Sequence, residues 1–275
     1  MQKSINIDEI NISYSIEGQG ETIVLLHGWP QTSYMWRKIT PVLSKKFNVI
    51  TLDLPGLGNS SVAKSYDTKN IATILNEFIK KLKIEKFHLV GHDIGAWIAT
   101  TYCIYFKENL KSLTIIDAGI PGLIPDELFC LENTNKIWQF FFHSVEEIPE
   151  FLVKDREKEY ISWYFEKKSY IKNAIKEEDI QNYYLAYKDK MKNGFEYYRY
   201  FQESAKQNRV LTSKLDIKIL AIGGEFALKE QVGVAMQKIS NNVTTKVIEN
   251  CGHYIAEEQP EKLTKILIDF LYKFY

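Results

Sequence analysis

The chain has 275 residues, of which 45% are hydrophobic, and its 35 lysine and arginine residues balance 35 aspartate and glutamate residues. This length and composition predict one substantial globular domain with room for an insert. The balanced charge argues against a nucleic-acid or anionic-membrane partner, and no apolar run approaches the roughly 20 residues that span a bilayer. Three scattered cysteines predict neither a disulfide framework nor a metal site. We expect no cofactor. The N-terminus lacks the apolar core of a signal peptide, which favours a cytoplasmic location unless a signal has already been removed.

Predicted strands and helices alternate along the first part of the chain. Two N-terminal strands at about 5–17 are followed by a strand at 22–26, a helix near 36–46, a strand at 48–53, a helix near 68–82 and a strand at 86–90. The sixth and seventh strands end at Asp117 and Glu225, and a last strand at 246–249 precedes a helix that begins at Pro260. This alternation predicts an α/β fold with a mostly parallel sheet and helices on both faces.

Strand signals are almost absent between residues 123 and 208. Aromatic and charged residues recur there at helical spacing, as Tyr160 and Tyr164 illustrate. We therefore predict a helical lid (cap) at 123–208, inserted into a core formed by 1–122 and 209–275. Most aromatic side chains of the lid should form its own core, and a minority should face the active site.

The run Gly91-His92-Asp93-Ile94-Gly95 lies between the fifth strand and the helix after it. A tight strand-to-helix turn crowds the backbone, so glycines on both sides of one exposed residue are typical of a nucleophile elbow. The exposed residue here is Asp93, where serine is usual. A carboxylate needs no base to deprotonate it and forms an alkyl ester at an electrophilic sp³ carbon, which suits an epoxide or a carbon–halogen bond. The same pentapeptide also occurs in ordinary turns, so its interpretation depends on its partners.

Three kinds of partner lie elsewhere in the chain. His27-Gly28-Trp29-Pro30 comes directly after the third strand, so the N–H groups of Trp29 and Ile94 are the predicted oxyanion hole. His253 is the one histidine of five in the late loop, where a base that activates water is expected. The acid that orients this base has two candidates, Asp117 and Glu225, because both strand ends can reach the same imidazole.

Four segments resemble the α/β-hydrolase epoxide hydrolases, and the Cif-like bacterial subgroup in particular. These segments are His27–Arg37, Asp53–Ser60, Gly91–Gly95, and Gly252-His253 with Glu257–Pro260. The resemblance covers nearly the whole chain and implies the α/β-hydrolase fold, with opening of an epoxide to a vicinal diol through a covalent aspartyl ester. In that subgroup and in several dehalogenases the acid ends the sixth strand, 24 positions after the nucleophile, and Asp117 stands at that distance from Asp93. The resemblance thus favours Asp117 over Glu225.

The resemblance extends into the lid. Phe195-Glu196-Tyr197-Tyr198-Arg199 is similar to the segment that carries the ring-opening tyrosine of the family, which implies that role for Tyr198. The subgroup also has a tryptophan–histidine pair that supplies a second donor, and here Trp138 is followed by Gln139. The amide of Gln139 can donate a hydrogen bond but cannot supply a proton. His143, one helical turn later, is the alternative donor.

Two other functions stay open at this stage. Haloalkane and haloacetate dehalogenases use the same nucleophile, base and acid, but they typically have tryptophan or arginine directly after the nucleophile, where this chain has Ile94. A catalytically idle hydrolase fold that binds a small molecule is expected to have lost one of the three residues, and all three are present. The expected partners are a small-molecule substrate, an epoxide or an organohalide, and water.

Overall fold

The computed structural model describes residues 2–272, and a single eight-stranded sheet runs through it. The strands are β1 Lys3–Ile7, β2 Ile10–Glu17, β3 Thr22–Leu26, β4 Asn48–Leu52, β5 Phe87–His92, β6 Leu110–Ile116, β7 Lys218–Gly224 and β8 Val243–Ile248. Their order across the sheet is β1-β2-β4-β3-β5-β6-β7-β8. Only the β1–β2 and β2–β4 pairs are antiparallel among these strands, which confirms the predicted mostly parallel sheet.

The central strands are buried on both faces. All six residues of β5 and four of the five residues of β3 are buried, as expected for parallel strands covered by helices on both sides. Because β3, β5, β6, β7 and β8 run in one direction, the loops at their carboxyl ends emerge at the same edge of the sheet. That edge is where open α/β sheets bind their ligands, and it carries Trp29, Asp93, Asp117, Glu225 and His253.

Twelve α-helices lie within residues 2–272. They are α1 Thr40–Leu43, α2 Thr68–Lys81, α3 Ile94–Phe106, α4 Thr134–Ser144, α5 Ile148–Val153, α6 Glu157–Lys168, α7 Glu177–Tyr187, α8 Met191–Arg199, α9 Phe201–Asn208, α10 Gln231–Met236, α11 Ile255–Glu258 and α12 Pro260–Leu271. None of the helices in this part of the chain is long and apolar enough to cross a membrane.

The helix predicted near 36–46 is wrong in its extent. The chain forms a 3₁₀ helix over Ser33–Lys38 and then the single turn of α1. Pro41 explains the break, since it has no backbone N–H to donate to the Arg37 carbonyl and its ring would clash there. In the first turn of α1 the same proline costs no hydrogen bond.

The six helices α4 to α9 all lie between β6 and β7, and no strand lies between them in the described chain. Two of their tyrosines donate hydrogen bonds to loops at the carboxyl edge of the sheet, Tyr187 to the Gln31 carbonyl at 2.9 Å and Tyr197 to the Pro55 carbonyl at 2.8 Å. We infer from these contacts that the helices form the lid. Its limits at 123 and 208 stay a prediction.

A buried ion-pair network joins the lid helices to the C-terminal part of the core. Arg37 lies 2.8 Å from Asp179 on α7 and 2.6 Å from Glu257 on α11. The Glu257 carboxylate is fully enclosed, and it also accepts a hydrogen bond from the Tyr183 hydroxyl at 2.7 Å and pairs with Lys38 at 2.9 Å. Breaking such a pair would leave a buried charge uncompensated, so these contacts hold α7 firmly against the core.

Candidate active site

The loop between β5 and α3 is a tight strand-to-helix turn. Asp93 lies there with φ 51° and ψ −122°, a backbone conformation that L-residues rarely adopt. A Cβ atom on Gly91 would lie 2.4 Å from the Gly95 carbonyl oxygen, and a Cβ on Gly95 would lie 2.4 Å from the His27 carbonyl oxygen. Only glycine fits at both positions, so the local geometry is that of the elbow expected from the sequence, with Asp93 at its apex.

The two carboxylate oxygens of Asp93 have different surroundings. Oδ1 accepts a hydrogen bond from the Trp29 backbone N–H at 2.9 Å, whereas Oδ2 lies 3.7 Å from Nε2 of His253. Ile94 begins α3, and the first N–H groups of a helix have no partner within it. Of the two predicted oxyanion donors, the Trp29 N–H is therefore already bonded to the Asp93 carboxylate. The other donor, the Ile94 N–H, belongs to the residue directly after Asp93.

Asp117 and His253 meet at the carboxyl edge of the sheet. Oδ2 of Asp117 lies 2.7 Å from Nδ1 of His253. Oδ1 of the same carboxylate accepts hydrogen bonds from the backbone N–H groups of Gly224 at 3.0 Å and Leu228 at 3.1 Å. With both of its oxygens bonded, Asp117 holds the imidazole ring in one orientation, with Nε2 directed toward Asp93.

Glu225, the alternative acid, has a different partner. Its Oε2 accepts a hydrogen bond from the Asn250 backbone N–H at 2.8 Å, and the side chain is partly exposed. This contact ties the loop after β7 to the loop after β8. The geometry thus brings Asp117, and not Glu225, to the His253 ring.

The loop that carries His253 is held by Lys168 on one side and by Glu258 on the other. The His253 N–H donates to the Lys168 carbonyl at 2.9 Å, and a Cβ on Gly252 would lie 2.3 Å from that same oxygen. The buried Glu258 carboxylate accepts backbone hydrogen bonds from Gly252 at 3.0 Å and from Tyr170 at 2.7 Å. Glu258 therefore joins the loop to the chain after α6. Glu258 belongs to the segment Glu257–Pro260 that carries the resemblance, but its hydrogen bonds to Gly252 and Tyr170 are visible only in the structure.

His92 lies behind the candidate base. Its Nε2 is 3.0 Å from the His253 carbonyl oxygen, and the two rings have their centroids 4.6 Å apart. Burial, with a smaller contribution from His253, lowers the pKa of His92 to about 4, so the ring is neutral near pH 7. Since a carbonyl only accepts, the single ring proton sits on Nε2 and donates to it. His92 thus supports the backbone of the loop that carries His253.

Tyr198 lies on α8 with its ring buried against Trp97 and His143, at centroid distances of 5.4 Å and 4.5 Å. Burial, and next the charge of Asp93, raise the pKa of Tyr198 well above its ordinary value, so the phenol keeps its proton. Within residues 2–272 its hydroxyl forms no hydrogen bond. A protonated phenol near the candidate nucleophile is therefore free to donate to a ligand.

The two candidates for the second donor have different environments. Oε1 of Gln139 accepts a hydrogen bond from Nζ of Lys168 at 2.6 Å. Nε2 of His143 lies 2.6 Å from the Tyr160 hydroxyl, and its ring packs on Trp29 at a centroid distance of 4.6 Å. Burial lowers the pKa of His143 well below its ordinary value. His143 is therefore a neutral, fully enclosed ring in an aromatic cluster, which favours Gln139 as the donor.

Comparison with known sequences places the chain among hydrolases. The sequence profile of the α/β hydrolase fold family matches residues 21–260. The soluble epoxide hydrolase of Corynebacterium sp. (strain C12) is 31% identical over 280 residues, which cover 98% of this chain and 95% of that protein. A fluoroacetate dehalogenase from Burkholderia sp. is 28% identical over 147 residues, which cover 51% of this chain and 48% of that protein.

Solved structures agree with these sequence matches. The epoxide hydrolase CorEH, determined without ligand, has a TM-score of 0.94 and 29% identity, covering 100% of this chain and 99% of that one. The Cif epoxide hydrolase from Acinetobacter nosocomialis has a TM-score of 0.92 and 26% identity, and the match covers 98% of this chain and 88% of that one. These matches confirm the predicted fold and the resemblance to epoxide hydrolases. The chain therefore belongs to the α/β hydrolase fold family, within which it resembles the epoxide hydrolases, Cif included.

Proposed function

We propose that this protein opens an epoxide to a vicinal diol through a covalent ester of Asp93. The observation that carries the proposal is the asymmetry of that carboxylate, with the Trp29 N–H 2.9 Å from Oδ1 and Nε2 of His253 3.7 Å from Oδ2. A carboxylate held at one oxygen and open at the other can attack an sp³ carbon without prior deprotonation. The similarity to epoxide hydrolases supports the same activity.

In the first step, Oδ2 of Asp93 attacks one epoxide carbon. The new bond joins Oδ2 to that carbon, the carbon–oxygen bond of the ring breaks, and its electron pair goes to the epoxide oxygen. Tyr198 donates a hydrogen bond to the developing alkoxide and then its proton, which stabilises charge where it forms. The product of this step is a hydroxyalkyl ester of Asp93, with Tyr198 as the phenolate.

In the second step, His253 takes a proton from a water molecule as that water attacks Cγ of Asp93. Oδ1 becomes the oxyanion, beside the N–H groups of Trp29 and Ile94, and Asp117 stabilises the imidazolium. Collapse of the intermediate breaks the bond between Cγ and Oδ2. The departing diol takes a proton from His253, and the new carboxylic acid loses one, which returns to Tyr198 through solvent.

Labelled water tests this mechanism. The mechanism predicts that the diol of the first turnover contains Oδ2 of Asp93. With enzyme in excess over a terminal epoxide in H₂¹⁸O, we expect an unlabelled diol and ¹⁸O in the peptide that contains Asp93. With substrate in excess, the diol should carry ¹⁸O. If water attacked the epoxide directly, the first diol would be labelled and Asp93 would not, which is the result that contradicts the proposal.

Removal of the Tyr198 hydroxyl should slow ring opening and spare ester hydrolysis. Loss of one hydrogen bond to developing charge typically costs about 10²–10³ in rate. We therefore expect Tyr198→Phe to slow alkylation of Asp93 by that factor in single-turnover measurements. Tyr197→Phe is the matched control, since its hydroxyl on the same helix donates to the Pro55 carbonyl. Equal alkylation rates in both variants would reduce Tyr198 to a packing role.

A dehalogenase is the second candidate, because the fluoroacetate dehalogenase relative covers 51% of this chain. The same carboxylate could displace a halide from an sp³ carbon. Halide release from haloalkanes or haloacetates, measured beside diol formation from a panel of terminal and internal epoxides, separates the two activities. A catalytically idle binding protein would turn over neither class.

A further inference from the structure

Lys168, the last residue of α6, brings a positive charge to the candidate active site. Its Nζ donates a hydrogen bond to Oε1 of Gln139 at 2.6 Å, and its backbone carbonyl accepts the His253 N–H at 2.9 Å. In the part of the chain that the structure describes, this ammonium group forms no ion pair with a carboxylate. Lys168 is therefore a cation beside the base loop whose side-chain hydrogen bond goes to a neutral amide.

The bond from Lys168 decides which way the Gln139 amide points. An ammonium group only donates, so the atom that faces it must be the amide oxygen, and the NH₂ group points away from it. Gln139 is only 4% exposed, and within residues 2–272 its NH₂ group has no hydrogen-bond partner. A nearly buried donor without a partner requires a ligand or water to satisfy it. His143, four residues later on the same face of α4, packs against the Tyr198 ring at a centroid distance of 4.5 Å.

We propose that Lys168 is a positioning residue that fixes Gln139 as the second donor to the epoxide oxygen, together with Tyr198. The proposal rests on the proposed epoxide hydrolysis. Gln139 donates a hydrogen bond to the alkoxide and transfers no proton, which still comes from Tyr198. The positive charge of Lys168, next to the Gln139 amide oxygen, polarises that amide and strengthens its NH₂ group as a donor. A lysine–glutamine pair thereby supplies the second donor at this position.

The charge state of Lys168 gives this role a pH dependence. The groups that face it are Asp93, Asp117, the neutral His143 ring and the Tyr164 ring, whose centroid is 5.3 Å from Nζ. Burial lowers the pKa of Lys168 to about 8, and the two carboxylates oppose that change. The ammonium is charged below that pH and neutral above it. Alkylation of Asp93 should therefore slow as the pH rises past about 8, because the amide loses its charged partner.

Two substitutions of Lys168 test the role in the full-length protein with styrene oxide as the probe. Lys168→Met should slow single-turnover alkylation by about 10- to 10²-fold, which is a smaller effect than removal of a direct hydrogen-bond donor. Hydrolysis of the preformed ester should stay within about twofold of the wild-type rate. Lys168→Arg keeps a permanent charge, so most of the rate should return and the decline above pH 8 should disappear. Lys167→Met is the control, since this exposed neighbour forms its ion pair with Glu166.

A double-mutant cycle then asks whether Lys168 acts through Gln139. Gln139→Leu alone and Gln139→Leu with Lys168→Met should alkylate at the same reduced rate. Additive losses, a wild-type rate in Lys168→Met, or a decline above pH 8 that persists in Lys168→Arg would each overturn the positioning role. If the wild-type protein forms no ester with any epoxide, the proposed function itself fails, and that outcome is visible before any variant is compared.

Discussion

Replacing His253 by glutamine is expected to stop the reaction after its first step and leave one substrate molecule bound to Asp93. Attack by the carboxylate needs no base, whereas hydrolysis of the ester requires His253 to take a proton from water. Steady-state turnover should fall on the order of 10⁴-fold, as when another member of such a triad is lost. Intact-protein mass spectrometry after incubation with an epoxide should show an increase equal to the mass of the whole epoxide.

Peptide mapping locates the adduct and supplies the control. The added mass should appear on the peptide that contains Asp93, and the Asp93→Asn, His253→Gln double variant should acquire none. An adduct on another residue, or full turnover by His253→Gln, would contradict the roles assigned to Asp93 and His253.

Replacing Asp117 by asparagine is expected to reduce turnover nearly as much. Asparagine retains an oxygen that can accept from the N–H groups of Gly224 and Leu228, which bond to Asp117 at 3.0 Å and 3.1 Å. It then presents an NH₂ group to Nδ1 of His253, which forces that nitrogen to be the acceptor and puts the ring proton on Nε2. That tautomer cannot take a proton from water, and the corresponding change in a serine hydrolase costs about 10⁴ in kcat.

Glu225→Gln is the matched control for this substitution. Its amide oxygen can still accept the N–H of Asn250, which bonds to Glu225 at 2.8 Å, so turnover should stay within a few-fold of wild type. Thermal unfolding of both variants separates loss of catalysis from loss of fold. The opposite ranking of the two turnover rates would move the orienting acid from the end of β6 to the end of β7.

The amino-acid sequence by itself determined the strand order along the chain and the elbow. Both depend on short-range physics, namely apolar runs in buried strands and backbone crowding that admits only glycine at Gly91 and Gly95. From these signals alone, Trp29, Asp93 and His253 are expected at one edge of a parallel sheet. The helix predicted near 36–46 is wrong in its extent. Pro41, which breaks it, is nevertheless visible in the sequence.

The family resemblance favoured Asp117 as the partner of His253, but the residues alone left Asp117 and Glu225 open, and only the tertiary structure showed the contact and the surroundings of the lid donors. Asp117 and Glu225 both end strands at the same edge, and side-chain direction separates them, with Asp117 2.7 Å from the imidazole. Lys168 and Gln139 are 29 residues apart on two helices, and no local pattern predicts their contact. Periodicity reports which face of a helix or strand is buried, whereas the pairing of polar groups across that face depends on how distant segments pack.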